Sequence, residues 1–236
     1  MLHNNLAAFV ITLLLSVLWL RFVGYAVLKN WIPNTISRKV IHIGTGPLFV
    51  LCWILFDAGI ETRFLAAVLP LISTVQFALA GLGIIRDKAS VQSMSRSGVK
   101  GELLKGPFYY GLAFIAITLI FWNTSPIGIV ALMILCGGDG VADLFGKQFG
   151  KTLLPWSKEK TWVGSFAMLI GGFLLSLLVV IIYNSLGILK ISFPLIFIKL
   201  FSIALVSTLI ESISKSDVDN ITVPITAIIM GILVSI

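Results

Sequence analysis

The chain has 236 residues, 58% of them hydrophobic and only 11% charged, with a formal net charge of +7 and a mean hydropathy of +1.07. A soluble domain of this length is about half apolar and a quarter charged, so the composition excludes one and indicates an all-α, polytopic integral membrane protein. The basic excess lies in short loops between apolar runs, which argues against nucleic acid and for membrane loops that meet lipid headgroups or an anionic substrate.

Apolar runs predict eight spans in one transmembrane domain covering 1–236, at 5–28, 40–56, 62–85, 108–122, 127–145, 162–183, 193–211 and 221–236. The first run has no basic residues before it and no small-residue cleavage site, so it reads as a retained helix and not a signal peptide. The fourth and last are short for a hydrocarbon core of about 30 Å. Pro224 stands near the start of the last, where a helix tolerates proline best. The loops after spans one, three, five and seven hold thirteen lysines and arginines, whereas the alternate loops hold only Arg63 and Lys190. This alternation predicts that those four loops are cytoplasmic and that both termini lie on the opposite side. Cys52 and Cys136 both fall in apolar runs and read as buried thiols. The two halves show no internal repeat, which weighs against a repeat-built transporter.

The polar motifs all fall at the cytoplasmic ends of these spans. Arg38-Lys39-Val40-Ile41-His42 opens the second span, with Arg38 and His42 on one helical face. His42 is a candidate general base or phosphate donor, although a lone histidine at an interface is more often structural. The third loop, residues 92–107, mixes serines and glycines with Arg96, Lys100 and Lys105. Such a segment binds phosphate through hydroxyls, amides and guanidinium, or is a solvated linker near anionic lipid.

Residues 136–151 hold the strongest signal. Asp139 and Asp143 interrupt an apolar run, where a charge costs about 2.5–3.5 kcal/mol. They share one helical face, which Lys147 and Lys151 continue. Two such acids suit magnesium, which takes one or two carboxylates together with waters and substrate phosphates. Gly137, Gly138 and Gly140 would let the helix break or let a ligand approach its backbone. The next loop carries Lys158 and Lys160, followed by Thr161 as a cap for the sixth helix. The amides of that helix end then form an anion site beside the lysines. Glu211 sits at the C-terminal end of an apolar helix, where the dipole gives an acid no help, so a partner cation is expected there. Asp217 and Asp219 read as turn residues before the last helix, with Asn220 as its cap.

Four segments, residues 38–46, 93–110, 138–165 and 211–224, together resemble the CTP-using membrane group that includes phytol and farnesol kinases, dolichol kinases and, more distantly, phosphatidate cytidylyltransferases. Met94-Ser95-Arg96-Ser97-Gly98, Glu102-Leu103-Leu104-Lys105-Gly106-Pro107 and Asp219-Asn220-Ile221-Thr222-Val223-Pro224 are similar to the phytol and farnesol kinase branch in particular. The resemblance covers about 35–236; the first span carries no motif. It implies transfer of the γ-phosphoryl group of CTP to a membrane-dissolved isoprenoid alcohol such as phytol, geranylgeraniol or farnesol, with Mg2+. By this match Asp139 and Asp143 hold the metal triphosphate, with Glu211 as a further metal candidate. Lys147, Lys151, Lys158 and Lys160 hold phosphates together with Gly138 and Gly140, and Arg38, Arg96 and Lys105 are possible additions. Asp143 and His42 are the candidates for the proton acceptor. A hydrophobic groove between spans would hold the tail. The rivals are a cytidylyltransferase that makes a CDP-lipid and an ion-coupled transporter using Asp139 and Asp143. A homo-oligomer stays open.

Overall fold

In the computed structural model, residues 4–192 and 195–236 are described, the side chains of Asn34 and Thr35 excepted. The helices are α1 (Asn5–Leu28), α2 (Asn34–Cys52), α3 (Ile60–Leu82), α4 (Lys88–Met94), α5 (Gly106–Ile120), α6 (Pro126–Met133), α7 (Gly140–Phe149), α8 (Trp162–Ser185), α9 (Leu195–Ile213) and α10 (Asp219–Leu233). Among the described residues, seven helices are long and apolar enough to cross a bilayer, so the chain is a multi-pass, all-α membrane protein. The expected eighth span, α10, has 15 residues, about 22 Å at 1.5 Å per residue. That falls short of a core about 30 Å thick. The expected fourth span is longer than its apolar run, because a 3-10 turn over Lys100–Leu104 leads into α5 and extends it to Lys100–Ile120. Phe193, the expected start of the seventh span, lies outside the described residues.

Helices α6 and α7 form one rod, joined by a π-helical turn over Ile134–Asp139. This rod is the hub: 78% of its apolar window is buried, against 17% for α1 at the rim. Helix α8 lies along it, and glycines set the approach. A Cβ on Gly137 would come within 3.1 Å of the Gly171 carbonyl oxygen, and one on Gly171 within 2.7 Å of the Gly137 carbonyl oxygen. Small residues let membrane helices approach at backbone distance, where dispersion and not the hydrophobic effect holds them. π-turns are uncommon inside α-helices and often mark functional sites. This one ends on Asp139.

Candidate active site

The π-turn delivers Asp139 to the interior, where its carboxylate meets the equally buried Lys39 of α2. Lys39 Nζ donates to Asp139 Oδ2 at 2.8 Å and lies 3.7 Å from Asp143 Oδ2. One turn along α7, Asp143 also pairs with Lys147 at 3.0 Å. From the other side, α9 contributes Glu211 and α10 contributes Asp219, both buried. Asp217 adopts φ +75° in the connection between them, a left-handed conformation that Asp tolerates better than most residues. The Asp139, Glu211 and Asp219 carboxylates each offer an oxygen within 4.8 Å of the others. Lys160 reaches in from the loop before α8, bonded to Glu211 and 3.1 Å from Asp219 Oδ2. Burial opposes the charge on Lys160, but Glu211 and then Asp219 outweigh it and hold its pKa above the ordinary lysine value. Three buried carboxylates thus face two ammonium groups. With hard oxygen donors and no sulfur or imidazole, this is a donor set that takes magnesium or calcium.

The cluster forms one wall of a cavity of about 510 Å³. The N-terminus of α8 forms another wall, with Thr161, Gly164 and Ser165 lining it. Thr161 caps the helix as expected, its hydroxyl accepting from Gly164 N at 3.1 Å. The buried Ser165 Oγ has no protein partner. Gly164 lets α8 meet α7 here, since a Cβ on it would sit 3.1 Å from the Ala142 carbonyl oxygen.

The third loop contributes Arg96 to the cavity wall. Glu102 accepts from Ser97 N at 3.1 Å and Ser97 Oγ at 2.8 Å, which curls the loop beside Arg96. Arg96 then spans to the turn after α9, bonding Ser216 Oγ at 3.1 Å and Asp217 Oδ1 at 3.2 Å.

Of the residues singled out by sequence, Asp139, Asp143, Lys147, Lys160, Arg96 and Glu211 line this cavity together. Lys151 follows the end of α7 and is exposed, as are Lys158 and Lys105. Arg38 is half-buried and electrostatically close to Asp143, Asp139 and Asp217. Gly138 and Gly140 face protein and not the cavity: Met168 Cγ lies 3.2 Å from where a Gly138 Cβ would be, and a Gly140 Cβ would run into Ile43. His42 is buried against Tyr110, with ring centroids 4.2 Å apart, and does not line the cavity.

Sequence alone gives Lys39 and Asp219 no role in this cluster. The apolar run starts at residue 40 and leaves Lys39 in the preceding loop, whereas α2 begins at Asn34. A lysine inside a span needs an acid as much as Asp139 needs a base, and that signal was readable. Asp219 reads as a turn residue and Asn220 as the helix cap, whereas in the structure Asp219 is the first residue of α10 and Val218 its cap.

No family model matches the chain, and no solved structure matches it. Curated relatives do. A protein of Triticum aestivum named "Probable phytol kinase, chloroplastic" is 43% identical over 207 residues, 87% of this chain and 69% of the relative. "Phytol kinase 1, chloroplastic" of Arabidopsis thaliana is 39% identical over 87% of this chain and 68% of its own length. "Farnesol kinase, chloroplastic" of the same plant is 36% identical over 98% of this chain and 75% of its own length. The chain belongs to the phytol and farnesol kinase family. As in any kinase site, phosphates need cations and amide donors, and this family member gathers Arg96, Lys147, Lys160 and the α8 N-terminus around one cavity.

Proposed function

We propose that this kinase-family chain transfers the γ-phosphoryl group of CTP to the hydroxyl of a membrane-dissolved isoprenoid alcohol, of the phytol, geranylgeraniol or farnesol type, with Mg2+. The observation that carries this reading is the buried cluster of Asp139, Glu211 and Asp219 with Lys39 and Lys160, set in a cavity that also offers cations and helix amides. Asp139, Glu211 and Asp219 would hold the magnesium, which supplies charge neutralisation of the triphosphate. Lys147, Lys160 and Arg96 attract phosphate oxygens, while the first amides of α8 and Ser165 Oγ donate to them. The alcohol oxygen forms its bond to the γ-phosphorus as the bond to the bridging oxygen breaks. The electron pair of that bond leaves with the nucleoside diphosphate. Of the two proton acceptors suggested by sequence, Asp143 lines this cavity and is our assignment. Positioning and charge neutralisation account for most of the catalysis in such a transfer.

The basic loops, counted thirteen against two, support a site on the cytoplasmic side, or its organellar equivalent, with the N-terminus opposite. The decisive experiment supplies purified protein with phytol, geranylgeraniol or farnesol and with CTP labelled at the γ- or the α-phosphorus. Label in the lipid from the γ-position supports the kinase. Label only from the α-position means cytidylyl transfer and overturns the reading, as does ATP serving in place of CTP for the choice of donor.

A further inference from the structure

A second cavity, of about 300 Å³, lies between α1, α2, α3 and α5. Its walls are mostly apolar, with Leu13, Val17, Phe49, Leu69, Phe77 and Phe114 among them. Helix α1 rests mainly on α2, and its Leu13 and Leu20, like Ile72 of α3, are substantially exposed. The cavity therefore opens toward the bilayer between α1 and α3. His42 and Thr45 line its inner end, and His42 Nε2 and Thr45 Oγ1 are buried without a protein partner. A buried polar atom left unpaired costs about 1–3 kcal/mol, so a side-chain rotation that brought either atom to the polar end of a ligand in this cavity would be favourable.

The partition between this cavity and the acidic cluster is thin. His42 is three residues from Lys39 on α2, which places the two on neighbouring positions of one helical face. Behind His42, the Tyr110 hydroxyl meets Cys136 Sγ at 3.1 Å, and Cys136 is three residues before Asp139.

We propose that this cavity is the alcohol subsite: it takes the isoprenoid tail from the bilayer and directs the hydroxyl past His42 and Thr45 toward the acidic cluster. The proposal rests on the kinase reading above. A polar inner end and an apolar path to the lipid are what such an alcohol requires, whereas a diacyl phospholipid would bring a charged headgroup to a wall without a cation. His42 acts here as a positioning group that touches substrate.

Ser16 of α1 lines the cavity and is only half-buried, so Ser16→Trp fills the space from the rim. We expect it to raise the KM for a 15- or 20-carbon alcohol at least tenfold, with the KM for CTP unchanged and a five-carbon prenol little affected. His42→Ala is expected to raise the alcohol KM with only partial loss of kcat, and His42→Gln to restore part of it. Binding is read separately with a diazirine-bearing farnesol analogue, which should label α1, α3 or α5 in a manner competed by phytol and lost in Ser16→Trp. Wild-type turnover together with unchanged KM values in both variants overturns the subsite while leaving the kinase reading intact. Labelling elsewhere, or labelling that excess phytol does not compete, also overturns it, the latter marking a crevice filled by bulk lipid. Absence of wild-type turnover with any alcohol counts against the kinase reading, and competed labelling of these helices still supports the subsite.

Discussion

The sharpest test of the acidic cluster is Asp219→Asn, because this residue belongs to the cluster by geometry alone. The substitution keeps the shape of the side chain and removes one of three converging carboxylates. Its ion pair with Lys160, at 3.1 Å, corresponds to about 5 kcal/mol of Coulomb energy at an effective dielectric of 20. Most of that is offset by the desolvation of both groups, and Lys160 keeps Glu211. The net fold cost is therefore that of one charge-assisted hydrogen bond, about 1.5–3 kcal/mol, and the protein should still insert and purify. Metal binding should suffer more. Groups that merely support metal ligands are worth about 10–100-fold in affinity, so loss of a ligand should raise the half-saturating Mg2+ concentration at least about tenfold. The control is Asp143→Asn, whose Lys147 partner is 59% exposed. A surface pair of that kind contributes about 0–1 kcal/mol, so that variant should lose kcat with a smaller change in Mg2+ requirement. The assay is phosphorylation of phytol at graded Mg2+ after each variant is confirmed folded by thermal melting in detergent. If Asp219→Asn keeps the wild-type Mg2+ curve, or if Asp143→Asn shifts it more, the assignment of the three ligands is wrong.

Asp139→Asn should leave an inserted protein without measurable turnover, and near-normal activity would remove it from the site. Lys39→Met leaves Asp139 buried without its closest cation, a defect of about 3–5 kcal/mol, and should lower both the yield of folded protein and its melting temperature. Gly171→Leu forces side-chain atoms toward the Gly137 carbonyl oxygen. That overpacking should cost about 1–3 kcal/mol, and an unchanged melting temperature would refute the close α8 contact. At the opposite membrane face, hydrogen bonds from Thr62, Asn5 and the Gly59 amide hold the Asp57 carboxyl below its ordinary pKa. A depressed pKa means that this contribution is present above about pH 4 and is lost as pH falls through the folded value. The gap in melting temperature between wild type and Asp57→Asn should therefore close in acid and persist at neutral pH.

Much of the protein is legible one helix at a time. Apolar runs longer than a bilayer is thick mark the spans, since nothing else in so hydrophobic a chain can satisfy its backbone in lipid. Asp139, Asp143 and Lys147 stand out for a similarly local reason: charge inside such a run is expensive, and four-residue spacing shows that they share a face. Thr161 as a cap follows from its position before an apolar helix, and the structure agrees. What spacing along one helix does not reveal is which helices meet. Gly137 and Gly138 look alike whether a ligand or another backbone approaches them, and only the packing of α8 settles the choice. Lys39 and Asp139 are a hundred residues apart, and Asp219 joins Glu211 only because the chain reverses at Asp217. Sequence by itself determined the membrane class and the acid-bearing helix, through the cost of placing charge in lipid. The tertiary structure decided which acids converge and which lysines answer them, because a buried charge is stabilised by its neighbours in space.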